Sequence, residues 1–379
     1  MATQNGMQFT IDRRRLLTLT AGGVSAAALG GLGGATPALA AETIRWVSPR
    51  GTIEVLDDYP YWVAKKFGYF GDIATTLEPG PSDATATVKL VDQKQSDMGY
   101  PSPGVFSLGL EQGMPLVSVF HMGGSDVFDI AFREGEKPKN LNDLEGKTIL
   151  LGSAGWQSIC DPMLSAAGVD IKKIKYVEAG WPTWGTALKA EKGDAALSWE
   201  GLRAQWKGQG LEFDYFLGKD FSKLPANSFV IRKADFEDPA KQKVYARYLQ
   251  GWAAGLEFGK QNPRAATEIV MMQFPGLASQ MNPAVATESM MQLGNVFAGR
   301  MDERKKWGFH LYPSWQLFFD TGRKVGQITG DFKVADVCKN DLIDEANAFD
   351  ATKVKADADG FAITPDYNSV DIEAIRKAL

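Results

Sequence analysis

The chain has 379 residues, 44% hydrophobic and 23% charged, the composition of an ordinary globular protein. That length allows about two domains with a sizeable core. The only cysteines, Cys160 and Cys338, exclude a disulfide scaffold, and the only histidines, His121 and His310, lie too far apart in sequence to suggest a zinc enzyme. A net charge of −5 without a basic stripe speaks against nucleic acid as a partner.

Residues 1–40 read as a leader rather than fold. Arg13, Arg14 and Arg15 precede Leu16 and Leu17, a mildly apolar run of Ala, Gly and Thr follows, and Ala38-Leu39-Ala40 is a small-x-small cleavage site. The Arg13-Arg14 pair with Leu16-Leu17 resembles a twin-arginine signal, although Asp12 stands where such signals usually have Ser or Thr. Export to the periplasm and cleavage after Ala40 are expected, with the ordinary secretion route as the alternative. Beyond the leader no run of about 18 apolar residues offers a membrane span.

From Ile44 to Ser48 the pattern predicts a short strand, followed by helix over 61–67 stopped at Gly68 and strand over 75–78. Helix over 84–91, a brief strand at 97–100, helix over 104–112 closed by Gly113, and strand over 116–121 complete a first unit. The alternation restarts near residue 140. Strands are predicted at 148–151, 175–177 and 195–199, and helices at 157–167, 183–190 and 201–207. Ser228–Arg232 reads as a return strand. Two strand–helix series in tandem imply two lobes, each with a parallel or mostly parallel sheet covered on both faces. After Pro239 the chain turns helical, with a fresh start at Asn262-Pro263 and a charged, solvated segment at 350–359.

Several motifs in order carry a family resemblance. Pro60, Ala64, Gly68 and Phe70 form a Pro-x-x-x-Ala-x-x-x-Gly-x-Phe pattern. Pro79-Gly80, Asp97-x-Gly99, Gly113-Met114-Pro115-Leu116-Val117, Leu144-x-Gly146-Lys147-Thr148-Ile149 and Gly193-Asp194-Ala195-Ala196 follow, then Trp307-Gly308-Phe309-His310 and Trp315. Over roughly residues 43–350 the chain resembles periplasmic substrate-binding proteins of ABC importers. The branch is the one for sulfonates, nitrate and taurine, which also holds the thiamine-pyrimidine-synthase-like proteins. The resemblance implies an α/β, bilobed periplasmic-binding-protein fold (type II, Venus flytrap) with two hinge crossings. Lobe 1 would be 41–127 and a mostly helical 231–379, and lobe 2 would be 128–230. It implies a monomer that hands a small ligand to an ABC permease and its ATPase, without catalysis and without a cofactor.

The ligand is expected between the lobes, where strand ends meet helix N-termini and free N–H groups are available. Four loops supply candidates. Arg50, in Ser48-Pro49-Arg50-Gly51, can pair an anion or simply be a solvated arginine. Tyr100 and Ser102 end the third strand, and Ser102 can equally be a plain helix cap. Ser153, Ala154, Gly155 and Trp156, leading to Gln157, allow close backbone approach to a ligand. Trp181 and Trp184 sit in a Gly/Pro loop, with Trp199 and Glu200 at another strand end. Five of the ten Trp residues lie between Trp156 and Trp206. Most should be core, yet rings in these loops would suit a flat heterocycle or a cation. The ligand is therefore expected to be a sulfonate-like anion or an aromatic or heterocyclic compound. Relatives often have an acidic residue and proline where this chain has Glu200 and Gly201. Gly123-Gly124-Ser125-Asp126 reads as a flexible crossing, from which Asp126 can reach the ligand.

Enzyme readings lack residues. The sequence has no Gly-x-Ser-x-Gly elbow and no phosphate loop. The thiamine-pyrimidine-synthase-like relatives use iron and a cysteine-rich motif, which two isolated cysteines cannot supply. A sensor that passes its signal to a membrane receptor is the other alternative. Cys160 and Cys338, assigned to different lobes by the resemblance, are expected to be free thiols.

Overall fold

The computed structural model describes residues 42–81 and 85–379, so the leader over 1–40 lies outside the described residues. The described residues pack as one compact unit.

The chain first lays down β1 (Thr43–Val47), β2 (Ala74–Glu78), β3 (Met98–Gly99) and β4 (Leu116–His121), with helices between them. It then crosses over and builds β5 (Phe128–Arg133), β6 (Thr148–Leu151), β7 (Lys175–Glu178), β8 (Ala195–Trp199) and β9 (Phe213–Phe216). A second crossing returns it to β10 (Ser228–Arg232). The strands form two five-stranded sheets, ordered β2-β1-β3-β10-β4 and β7-β6-β8-β5-β9, one to each lobe of an α/β architecture. The sheets are mixed rather than mostly parallel. β1 runs parallel to β2 and β3, and β6 parallel to β7 and β8. β10 and β5 each lie antiparallel between two neighbours. The physical reason is the path of the chain: each antiparallel strand is the one that arrives from the other lobe, with no more than the one-turn helix Gly218–Phe221 on the way to β10. The whole of Ser228–Arg232 belongs to the first sheet, so the sheets divide before Ser228 rather than at residue 230.

The first sheet is covered by the helices Tyr59–Phe67 and Pro239–Gln261, whose apolar faces meet over Trp46, Tyr61, Trp252 and Phe229. Gly68 at φ 70° ends the first of these helices, as its position predicts. Asn262 caps the next helix by accepting from the Ala265 backbone N–H. The segment expected as solvated surface is helix Ala351–Asp359, mostly exposed, with Val354 and Ala358 alone buried against the core.

Helix contacts join the lobes at several places, two of which border the cleft. Helix Pro283–Phe297 lies against the N-terminus of helix Leu202–Gly208. Its Gln292 Oε1 accepts from the backbone N–H groups of Gly201 at 3.1 Å and Ala204 at 3.2 Å. Helix Pro103–Glu111 of the first lobe meets helix Gln157–Ala166 of the second so closely that a Cβ on Gly104 would stand 2.3 Å from the Ser158 carbonyl oxygen. The first crossing is packed rather than loose. Gly124 donates its N–H to the Val296 carbonyl at 3.0 Å, and a Cβ there would stand 1.7 Å from the Gly299 carbonyl oxygen. Its glycines serve close approach, not flexibility.

Candidate functional site

Arg50 follows the end of β1. Its Nη2 donates to Asp58 Oδ1 at 2.6 Å, and its Nη1 lies 3.4 Å from Asp57 Oδ1. Both carboxylates sit just before helix Tyr59–Phe67, and all three side chains are largely buried. Burial works to lower the Arg50 value, but the charges of Asp58 and Asp57 outweigh it and hold the guanidinium more firmly protonated than usual. Burial likewise pushes the Asp58 carboxyl up, against the pull of Arg50. Arg50 Nε and Asp58 Oδ2 are buried and have no partner among the described residues.

β3 delivers Tyr100, whose ring packs on Trp46 at 5.8 Å and Phe229 at 5.0 Å. Ser102 caps helix Pro103–Glu111, its Oγ accepting from the Val105 N–H at 3.3 Å. In the second lobe β6 runs into a single turn, Ala154–Trp156, before helix Gln157–Ala166. β8 ends at Trp199. The Trp156 ring stands edge-on to Trp199, at 5.7 Å and 88°. Trp181 stacks on Trp199 at 5.5 Å and 9°.

These strand ends face one cavity, part of it open to solvent. The first lobe contributes Pro49, Arg50, Asp57, Tyr100, Pro101, Ser102 and Val105, with Leu293 and Phe297 from helix Pro283–Phe297. The second lobe contributes Phe128, Trp156, Ile159, Leu197 and Trp199, and the crossings Val127 and Asn227. Of the residues expected from sequence, the structure brings Arg50, Tyr100, Ser102, Trp156 and Trp199 together. The others fall elsewhere. Ser153, Ala154 and Gly155 form the turn that supports Trp156 and are not in the lining. Trp181, 37% exposed, backs Trp199 from outside it. Trp184 is core: it is 1% exposed, and its Nε1 donates to the Leu197 carbonyl at 2.8 Å. Glu200 is fully buried behind the lining, paired with Arg203 at 2.8 Å and Lys219 at 3.3 Å. Gly201 beside it has φ +90°, a backbone conformation closed to proline. Asp126 is buried and bonded to Ser222 Oγ. Among the lining residues that sequence reading misses, Asp57 carries a signal, as an acid close in sequence to an arginine. Phe128, Ile159, Asn227, Leu293 and Phe297 carry no local signal.

One further constellation lies in the first lobe. Ser118 Oγ is 2.6 Å from His310 Nε2, and His310 Nδ1 is 3.0 Å from Asn340 Oδ1, the order of a nucleophile, base and orienting amide. Ser118 and His310 are both fully buried, and burial pushes the His310 value down to about 3. A fully buried hydroxyl on a fully buried, neutral imidazole is a core hydrogen bond. Cys160 and Cys338 are free and buried, and burial pushes both thiols up. Among the described residues no three His, Cys, Asp or Glu side chains are grouped to hold a metal ion, and no helix is long and apolar enough to cross a membrane.

The chain shares its fold with solved binding proteins. It is similar to the alkanesulfonate-binding protein SsuA of Xanthomonas axonopodis pv. citri, bound to MOPS, at 12% identity and a TM-score of 0.61, covering 79% of this chain and 100% of that one. It is similar to the periplasmic nitrate-binding protein NrtA of Synechocystis PCC 6803, at 13% identity and a TM-score of 0.57, covering 86% and 91%. The periplasmic aliphatic sulphonate binding protein SsuA of Escherichia coli gives 15% identity and a TM-score of 0.50, covering 78% and 91%. No curated protein matches the sequence. Residues 57–266 match the family described as NMT1/THI5 like, which runs from the helix behind Arg50 through the whole second lobe, and the chain belongs to that family.

Proposed function

We propose that the protein is an extracytoplasmic solute-binding protein. It captures a small organic ligand between its lobes, closes over it, and delivers it as a monomer to an ABC permease and its ATPase. The observation that carries this reading is the cavity itself: both lobes and both crossings contribute to one lining, so a ligand there would be buried by lobe closure. Burial and oriented polar groups supply the affinity, and no covalent step is needed. The lining residues Arg50, Tyr100, Ser102, Trp156 and Trp199 are the proposed ligand contacts. Periplasmic location and twin-arginine export follow from the leader sequence in this reading.

A thermal-shift screen of the purified protein tests it, using aliphatic and aromatic sulfonates, nitrate, pyrimidines, flavins and aromatic acids and amines. A true ligand at about 100 times its dissociation constant should stabilise the fold by roughly 2.7 kcal/mol. The same ligand should stabilise Trp199→Ala measurably less. A ligand that stabilises both forms equally would place binding outside the cleft and sink the reading.

A further inference from the structure

We propose that the ligand is a flat ring carrying a cationic N–H donor, seated against Trp199 with its donor on Asp57, and that the cleft discriminates against oxyanions. This rests on the reading of the cleft as the ligand site.

The charge count decides first. Among the described residues of the lining the charged side chains are Arg50 and Asp57. Arg50 is already shared between Asp57 and Asp58, so one cation faces two carboxylates. An incoming sulfonate or nitrate meets a guanidinium whose charge two carboxylates already offset, with Nε alone left without a partner among the described residues, and to take the Nη donors it would have to displace a carboxylate, which would then remain buried and unpaired. A cation meets the opposite situation. Among the described residues the Asp57 carboxylate makes one long contact, at 3.4 Å, and it has capacity for a further donor.

The backbone points the same way. A helix N-terminus ordinarily offers anions its free N–H groups. At helix Pro103–Glu111 these donors are depleted. Pro101 and Pro103 have none, and the Val105 N–H is taken by Ser102 Oγ. The Asn227 side chain, also in the lining, has an Oδ1 acceptor without a partner among the described residues. Donors without such a partner exist too, at Arg50 Nε and Trp199 Nε1, and these can bond a ring nitrogen or carbonyl of the same ligand. Finally, Trp156 and Trp199 present indole rings to the space. Ring faces attract cations and stack on flat ligands, and they offer an oxyanion nothing.

The test uses one ring with three charges: benzamidinium, benzamide and benzenesulfonate, titrated into the purified protein by calorimetry with intrinsic Trp fluorescence alongside. Benzamidinium should bind about tenfold or more tighter than benzenesulfonate, the worth of one charge-assisted hydrogen bond. Asp57→Asn should remove that preference. Should Asp57→Asn fail to fold, the charge series on the unmodified protein decides alone. Benzenesulfonate binding as tightly as benzamidinium, or tighter, overturns the inference. If that binding is still weakened several-fold in Trp199→Ala, the cleft remains the ligand site. If none of the three probes binds, the inference is overturned, and the melting screen decides the cleft reading separately. If probes bind equally well to Trp199→Ala, both readings fall together.

Discussion

Trp184 and Trp199, in the same lobe, show how little residue type says about role. Trp184 has its indole N–H satisfied by the Leu197 carbonyl and is packed against Trp206 at 5.3 Å. Trp199 is half-buried, faces the cavity, and has an indole N–H without a partner among the described residues. A buried N–H with a fixed acceptor is a structural commitment, whereas a buried N–H without one at a cavity wall is capacity for a ligand. Truncation should separate them. Trp184→Ala should cost about 3–5 kcal/mol, seen as a large drop in melting temperature. Trp199→Ala should cost much less stability and weaken ligand binding several-fold, since a stacked ring contributes about 0.5–1.5 kcal/mol beyond its buried area. Calorimetric titration and circular-dichroism melts on both variants check this. A Trp184→Ala protein that melts like the wild type would refute its assignment to the core.

Among the elements, the helices and parallel strands are legible in the sequence because their ends carry chemistry. Glycines stop the helices Tyr59–Phe67 and Pro103–Glu111, and Asn262 starts another. β5 and β9 are not legible in this way. In β5 the sequence Phe128-Asp129-Ile130-Ala131-Phe132-Arg133 does alternate, but it holds a single β-branched residue, and its Asp129 is a buried acid that looks like a loop residue. The site is half legible for a similar reason. Strand-end loops such as the one after β3, with Tyr100 and Ser102, mark themselves by their turn residues. Leu293 and Phe297 come from a helix far along the chain, and only tertiary packing brings them to the cavity. Contact between the lobes at Gly104 gives a test at this scale. Gly104→Ala would set a methyl 2.3 Å from the Ser158 carbonyl oxygen, and overpacking of this kind costs about 1–3 kcal/mol. The two helices belong to different lobes, so opening the cleft relieves the clash. The variant should therefore bind ligand about tenfold more weakly while its ligand-free melting temperature stays near that of the wild type. An unchanged dissociation constant would mean that the helices slide past each other without opening.

Across the whole molecule, the lobes are tied together by a buried set of charges at the crossings. Asp126 on the first crossing accepts from Ser222 Oγ on the second at 2.5 Å and from the Phe128 N–H at 3.1 Å. Asp129 accepts from the Gly218 N–H at 2.9 Å. Glu200 is paired with Arg203 and Lys219, and Lys219 also donates to the Leu379 carbonyl at 2.7 Å. Burial pushes the Asp126 carboxyl up to about 6, with the bonds from Ser222 and Phe128 opposing it. Burial, then the charge of Glu200, pushes Asp129 up as well. A carboxyl raised on folding stabilises the fold in its protonated form. Its contribution is full below the unfolded value of 3.8 and is lost as pH rises to about 6, after which it stays constant. For Asp126 the loss is on the order of 3 kcal/mol. Asp97 acts in the opposite sense: burial is outweighed by Arg45 and Arg232, its carboxyl is held low, and its contribution fades as pH falls. The wild-type curve therefore mixes both signs, and a difference between variants isolates one. Asp126→Asn cannot ionise; its oxygen can take the place of Oδ1 and accept from the Phe128 N–H, while its NH2 group donates to Ser222 Oγ where Oδ2 accepted. In urea unfolding it should exceed the wild type by a few kcal/mol near pH 7.5 and match it near pH 4. A variant that gains nothing near pH 7.5 would show that the ionised Asp126 is already compensated at the crossing, and that the hinge carries no electrostatic strain.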